Sequence, residues 1–143
     1  MRPVPGDDSR RVFDRVPFIA LLGMRRVYSE GGRAQMRLPA RPELGNVIGS
    51  VHGGVVATLL DVAMASAAVS AHDFRWTVVT LAMETQYLQP GYGALLTDGE
   101  LLHQADGVAH CRAQVTDEQG HCVARALGTF RYLQRPTAET TPA

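Results

Sequence analysis

Two periods of apolar residues run along this chain, and one stretch between them has no polar side. In the segment NVIGSVHGGVVATLLDVAMASAAV, residues 46–69, a polar and glycine-rich opening gives way to about four turns of helix that are apolar all round, the pattern of a buried helix. Asp61 breaks that pattern between Leu60 and Val62. An unpaired carboxylate there would cost several kcal/mol, at roughly 2–7 for burying a polar group, or be driven toward its neutral form. Elsewhere the period is two. Ala34, Met36 and Leu38 alternate with Gln35 and Arg37, which predicts a strand with one buried and one wet face. Strands are predicted at 24–29, 33–39, 76–89, 94–104, 108–117 and 121–133, divided by the turn signals Glu30-Gly31-Gly32, Pro90-Gly91-Tyr92-Gly93, Asp106-Gly107 and 117–120. Residues 12–22 have near-helical spacing broken by Pro17 and stopped by Gly23, residues 40–51 read as loop, and Asp98-Gly99 reads as a bulge inside its strand. An antiparallel sheet curving round one long central helix satisfies both periods, so the fold class is α+β.

Length allows one domain, expected at 12–133, with flexible ends at 1–11 and 134–143 where proline and polar residues collect. The 14 acidic and 14 basic residues cancel and are spread along the chain, which argues against a nucleic-acid partner or an anionic membrane surface. All the basic residues are arginine. Without lysine, Schiff-base chemistry, pyridoxal phosphate attachment and a phosphate-loop lysine are excluded. The N-terminus has no apolar stretch of the secretory kind, and the longest apolar run is short and carries Asp61, so a cytoplasmic protein without a membrane span is expected.

Cys111 and Cys122 fall on the last two predicted strands. If Asp117 and Gly120 bracket the turn, opposed residues sum to 237, so Cys122 faces Val115 and Cys111 faces Ala126. That separation exceeds disulfide reach, and the expectation is two free thiols in a reducing compartment. Neither C-x-x-C nor a histidine pair at ligand spacing is present, so no metal is expected.

The candidate chemistry sits at the start of the helix and in its middle. Ser50-Val51-His52-Gly53-Gly54 puts glycines where the first turn's N–H groups lack partners, a place where a carbonyl becoming an oxyanion could be stabilised or where the backbone merely turns tightly. Asp61 is then a candidate base. It lies eight residues past Gly53, about 12 Å of helix rise, while a base and an oxyanion donor must both stand within about 3 Å of the reacting atoms. One helix cannot serve one carbonyl with both. If the two cooperate, Asp61 comes from a second, antiparallel copy, which predicts a twofold dimer with sites at the interface.

The motif Asn46-x-x-Gly49-x-Val51-His52-Gly53-Gly54 running to Leu59-Leu60-Asp61, the strand carrying Val78, Thr80, Tyr87, Leu88 and Pro90, and Asp117-Glu118-x-Gly120 followed by Ala124 resemble the hotdog-fold acyl-CoA thioesterases of the phenylacetate-degradation type. The resemblance covers about residues 15–133. It implies a sheet wrapped round the helix, dimers paired into a tetramer, active sites between subunits, and acyl-CoA as substrate with no cofactor beyond the coenzyme A it carries. By position, Asp61 resembles the family's base or nucleophile, Gly53 its oxyanion amide, Asn46 and His52 the groups that hold the thioester, with Val51 and Gly54 beside them, and Thr80 the residue that orients the attacking water. Local roles compete with these: His52 as a helix cap, Asn46 in an Asx-turn, Thr80 as an ordinary strand residue. Arg112, Arg125, Arg131 and Arg135 are candidates for the coenzyme A phosphates or solvated strand arginines. Phe18, Leu22, Trp76 and Tyr87 are expected to set the acyl pocket. Thioester hydrolysis is the reading these residues favour; the alternatives are a non-catalytic acyl-CoA or aromatic-ligand binding protein of the same fold and a hotdog hydratase, which would want a histidine on the helix.

Overall fold

A computed structural model describes residue 13 and residues 15–134. The expected flexible segments at 1–11 and 135–143 lie outside the described residues, whereas Gln134, assigned above to the tail, is the last residue of a strand. Elements run in the order α1 (Pro17–Leu22), β1 (Arg25–Glu30), β2 (Arg33–Leu38), a 3-10 turn (Pro42–Leu44), α2 (Gly53–Ser70), β3 (Trp76–Tyr87), β4 (Leu95–Ala105), β5 (Val108–Thr116) and β6 (Cys122–Gln134). The six strands form one antiparallel sheet in the order β1-β2-β4-β5-β6-β3, and α2 lies along its inner face. This is the hotdog arrangement. Phe13 and Arg15 are helical, the helix breaks at Val16 and starts afresh at Pro17, the interruption expected there; Pro17 takes an opening position of α1, where its missing N–H costs nothing, and Gly23 ends it at φ 75°.

The buried side of α2 packs Val56, Leu59, Leu60, Ala63, Met64, Ala67 and Ala68 onto Met36, Leu38, Leu95, Cys111, Val115 and Phe130. Ala34, Gly99, Ala113 and Ala126 stand side by side across β2, β4, β5 and β6, a row of small residues against which the helix can settle. Gly99 is therefore no bulge. It keeps its register with Ala34 and Ala113, and a Cβ built on it would collide with the Ala63 carbonyl oxygen. Close approach of a helix backbone, not a ladder defect, explains the glycine.

Real ladder shifts lie elsewhere, among them one between Thr80 and Ala82 on β3 and one between Val115 and Thr116 on β5. The last turn closes between Asp117 and His121, not Gly120, and the second shift adds one residue more, which corrects the cysteine register: Cys122 opposes Thr116 and Cys111 opposes Gly128. Both thiols are nevertheless free, and burial pushes the Cys111 thiol from its ordinary 9.0 up to about 12.

The helix is not buried all round. Nine of its 18 residues are buried, while Gly54 is exposed and Ala57, Thr58, Asp61, Val62, Ala65 and Val69 are only half-covered on the opposite side. By length and apolar content α2 could cross a membrane, yet its buried half is the core of this sheet. Edge strand β3 pairs with β6 alone, and although it is apolar no residue of it is buried, Val79 and Leu81 being 45% and 51% exposed.

Candidate active site

The loop before α2 is built by Asn46. Its Oδ1 accepts the N–H groups of Ile48 and Ser50, each at 3.1 Å, and its Nδ2 donates to Ser50 Oγ at 2.7 Å. Gly49, at φ 80°, donates to the Asn46 carbonyl and completes the turn. Of the two roles open to Asn46, the Asx-turn is the one its side chain performs here. Backbone bonds from Val51 N–H to Gly91 and from His52 N–H to Leu44, both 2.8 Å, then fix the chain as it enters the helix.

His52 is the N-cap. Its Nδ1 accepts the Gly54 N–H at 2.9 Å, so the imidazole carries its proton on Nε2. A Cβ on Gly54 would come within 3.1 Å of that nitrogen, which gives the second glycine a steric reason. The cap separates the glycines chemically. Gly54 has committed its N–H, whereas the Gly53 N–H meets no acceptor among the described residues. Tyr87 holds this residue from the other side, donating its hydroxyl to the Gly53 carbonyl at 3.0 Å. A free amide on an immobilised peptide, at the positive end of an 18-residue helix, is suited to developing negative charge.

Two turns along, Thr80 Oγ1 donates to Asp61 Oδ1 at 2.6 Å. The shift at Leu81 makes this meeting compatible with the rest of β3: Val78 and Thr80 face the helix before it, and Met83 and Tyr87 face it after, so the inward set changes from even to odd numbers. Asp61 is half-buried, and its second carboxylate oxygen has no partner among the described residues. The carboxylate is thus held by one oxygen and open at the other. It is neither unpaired nor sealed in the core, as the sequence pattern alone had suggested.

Sequence reasoning placed Tyr87 in the strand motif and in the acyl pocket but missed its bond to the Gly53 carbonyl. The four residues expected to shape one acyl pocket do not share one. Leu22 is buried, Phe18 is exposed on α1, Tyr87 is at the start of α2 and Trp76 beside His72 and Tyr132 at the far end. Nor do Arg112 and Arg125 reach the site. Both line a cavity of about 770 Å³ on the outer face of the sheet, where Arg112 pairs with Glu100 at 2.7 Å and Arg125 bonds Gln86 at 2.8 Å. Arg135 lies outside the described residues. Among the described residues no group of three His, Cys, Asp or Glu could hold a metal ion.

Residues 9–131 match a family described as a domain of unknown function, DUF4442. The chain belongs to the DUF4442 family. Among its relatives is Escherichia coli YigI, a medium/long-chain acyl-CoA thioesterase, 30% identical over 131 residues that cover 80% of this chain and 84% of YigI. A thioesterase family protein from Silicibacter pomeroyi superposes with a TM-score of 0.82 at 25% identity, over 91% of this chain and 98% of that one. The E. coli PaaI protein of the phenylacetic acid degradation operon shares the fold, with a TM-score of 0.80 at 20% identity over 90% and 92% of the two chains. DUF4442 thus joins the thioesterase hotdog proteins in architecture.

Proposed function

We propose that this DUF4442 protein hydrolyses acyl-CoA thioesters to a free acid and coenzyme A. The observation that carries the proposal is the pairing of a free Gly53 N–H with an Asp61 carboxylate held by Thr80 through one oxygen and open at the other. In this reading the Gly53 amide polarises the thioester carbonyl. Asp61 takes a proton from an attacking water, which Thr80 steadies through its lone pairs, or attacks directly to form an anhydride that water then opens. Either route breaks the carbon–sulfur bond and releases the thiol. No metal or cofactor is required.

Both groups belong to one helix, about 12 Å apart along it, so the site needs a second copy. The unpaired edge and exposed apolar side chains of β3, together with the half-covered face of α2, supply a surface for that copy. We take the functional unit to be a twofold dimer, paired further into a tetramer, acting in the cytoplasm. The fitting substrates are aryl and aliphatic acyl-CoAs; the name of YigI argues for including medium and long chains beside phenylacetyl-CoA and hydroxybenzoyl-CoA.

Complementation tests this geometry. Asp61→Asn removes the base, and Gly53→Pro removes only an N–H, at a helix position that tolerates proline and after a residue already extended at ψ 137°. Each variant alone should lose about a thousandfold in thiol release while remaining dimeric by ultracentrifugation. Refolded together, they should recover about a quarter of wild-type turnover, because half the dimers are mixed and each mixed dimer has one intact site. Near-normal release from Asp61→Asn, or no recovery on mixing, would overturn the assignment.

A further inference from the structure

A second cavity, of about 430 Å³, opens where α2 ends and β3 begins, lined by His72, Trp76, Gln104, Ala105, Asp106, Gly107 and Tyr132. It is assembled from four parts of the chain. His72 and Tyr132 cross edge to face with ring centroids 4.9 Å apart, and Tyr132 is anchored by its hydroxyl on the Ala68 carbonyl at 2.9 Å and by its N–H on the Gly107 carbonyl at 2.9 Å. The Asp106-Gly107 turn, both residues at positive φ, closes one side. Trp76 stands 44% exposed at the mouth.

This cavity lies on the same face of β3 as the residue that holds Asp61. Trp76, Val78 and Thr80 occupy one face of β3, opposite Gln134, Tyr132 and Phe130, and Thr80 is the residue that holds the carboxylate. Half-covered Ala65 and Val69 continue the same side of α2 toward His72. From Asp61 to His72 is eleven residues, about 16 Å at helical rise, and from Thr80 to Trp76 about 13 Å along the strand. A pantetheine arm, with the backbone length of four or five extended residues, reaches about 15 Å.

The lining chemistry decides what lies at the end of that reach. Gln104 Oε1 takes a hydrogen bond from His72 Nε2 at 2.7 Å, which leaves the amide N–H groups as donors, and Asp106 supplies an acceptor. The methyl end of an acyl chain would use neither the donor nor the acceptor, which would stay with water in this open cavity. A purine carrying an amino group matches both and offers a flat face to the indole. Arg131 reaches the same turn, its Nη1 3.7 Å from where a Gly107 side chain would begin, and exposed Arg75 precedes Trp76; either can meet a phosphate.

We propose that the His72–Trp76–Gln104–Tyr132 cavity is an adenine-nucleotide subsite, taking the nucleotide end of the coenzyme A thioester whose carbonyl lies at Asp61. The inference rests on the thioesterase reading for the substrate, but its first test does not depend on hydrolysis.

Trp76 is the chain's single tryptophan, so emission excited to the red of tyrosine reports this cavity directly. Titration of the full-length protein with adenosine 3′,5′-bisphosphate should give a saturable change in emission, and a non-hydrolysable acyl-CoA thioether added first should give its own change and abolish the response to the bisphosphate. In the kinetic arm, Trp76→Ala should lower the ratio of kcat/KM for an acyl-CoA to that for the matching acyl-pantetheine about tenfold, and Trp76→Phe, which retains a stacking face, should restore most of it. A bisphosphate response that persists in the presence of saturating thioether would mean a separate site for free nucleotide and overturn the coenzyme A assignment. No emission change at bisphosphate concentrations well above the KM for acyl-CoA, or an equal loss with both substrates in Trp76→Ala, would overturn the subsite altogether. Failure of the thioesterase reading would instead leave hydrolysis absent for both substrates with the titration still interpretable.

Discussion

Both sides of α2 carry polar residues within an apolar sequence, and although Thr58 on the open side closes on the Gly54 carbonyl at 2.8 Å, only that side leaves polar valences to spare. On the buried side Ser66 shares a 2.6 Å hydrogen bond with Ser29, while Ser70 accepts the Gly32 N–H at 3.0 Å and donates to the Ala67 carbonyl at 2.8 Å. These circuits are closed by the chain itself. On the other side Asp61 receives one bond from Thr80 and keeps an oxygen to spare, and eight residues earlier Gly53 keeps a free N–H. Closed circuits hold a helix to a sheet; spare valences on fixed groups are what a reaction can use. The contrast separates structural from chemical polarity on one helix, where apolar character alone would treat both sides alike.

That contrast can be sharpened on the open side. Thr80→Val preserves shape but removes the donor, leaving the carboxylate free to rotate, and should lower kcat by about tenfold to a hundredfold with little change in KM. Thr80→Ser should restore most of the loss, which a purely steric role for the methyl group would not allow. An unaltered kcat in Thr80→Val would place Thr80 outside the chemistry.

On the closed side the expected effect is on stability. Ser66→Ala leaves the Ser29 hydroxyl, 4% exposed, without its partner and should cost about 1–3 kcal/mol in urea unfolding, while turnover per folded molecule stays at wild type. Loss of turnover without loss of stability would merge the two sides again.

The smallest effect concerns pH. Burial raises Cys111 to about 12, and burial with the neighbouring Cys111 raises Tyr132 from 10.0 to about 12. Both groups bind their protons more tightly folded than unfolded. Their contribution to stability is therefore complete below pH 9 and is lost as pH rises through the interval up to about 12. Cys111→Ala should flatten the alkaline fall in the urea midpoint between pH 9 and 10, and an unchanged slope would remove Cys111 from the account.

Much of the fold was legible because its signals are local. The alternation of Ala34, Met36 and Leu38, the Asp106-Gly107 turn and the apolar run of α2 each depend on neighbours within a few residues, and six strands and a long helix follow from them. Gly99 was misread because its reason is the Ala63 backbone, 36 positions away and on another element. The cysteine register failed twice, at a turn that closes on His121 one residue beyond Gly120 and at the ladder shift beside it, where one displaced residue moves every partner behind it.

At the site the division is similar. The sequence by itself determined where a helix begins behind two glycines, that His52 and Asn46 stand at its entry with a local and a substrate role each open, and that an acid lies where a buried helix has no structural use for one. Periodicity and capping are short-range physics, and they also make the separation of Gly53 from Asp61 a fixed length that one chain cannot bridge. Only the tertiary structure decided which glycine keeps a free N–H, that a ladder shift at Leu81 leaves both Thr80 and Tyr87 facing the helix, and that Asp61 stands half-open beside an unpaired strand edge. Those facts depend on strand register and on which face of a helix the sheet covers, and both are set by contacts between residues far apart in the chain.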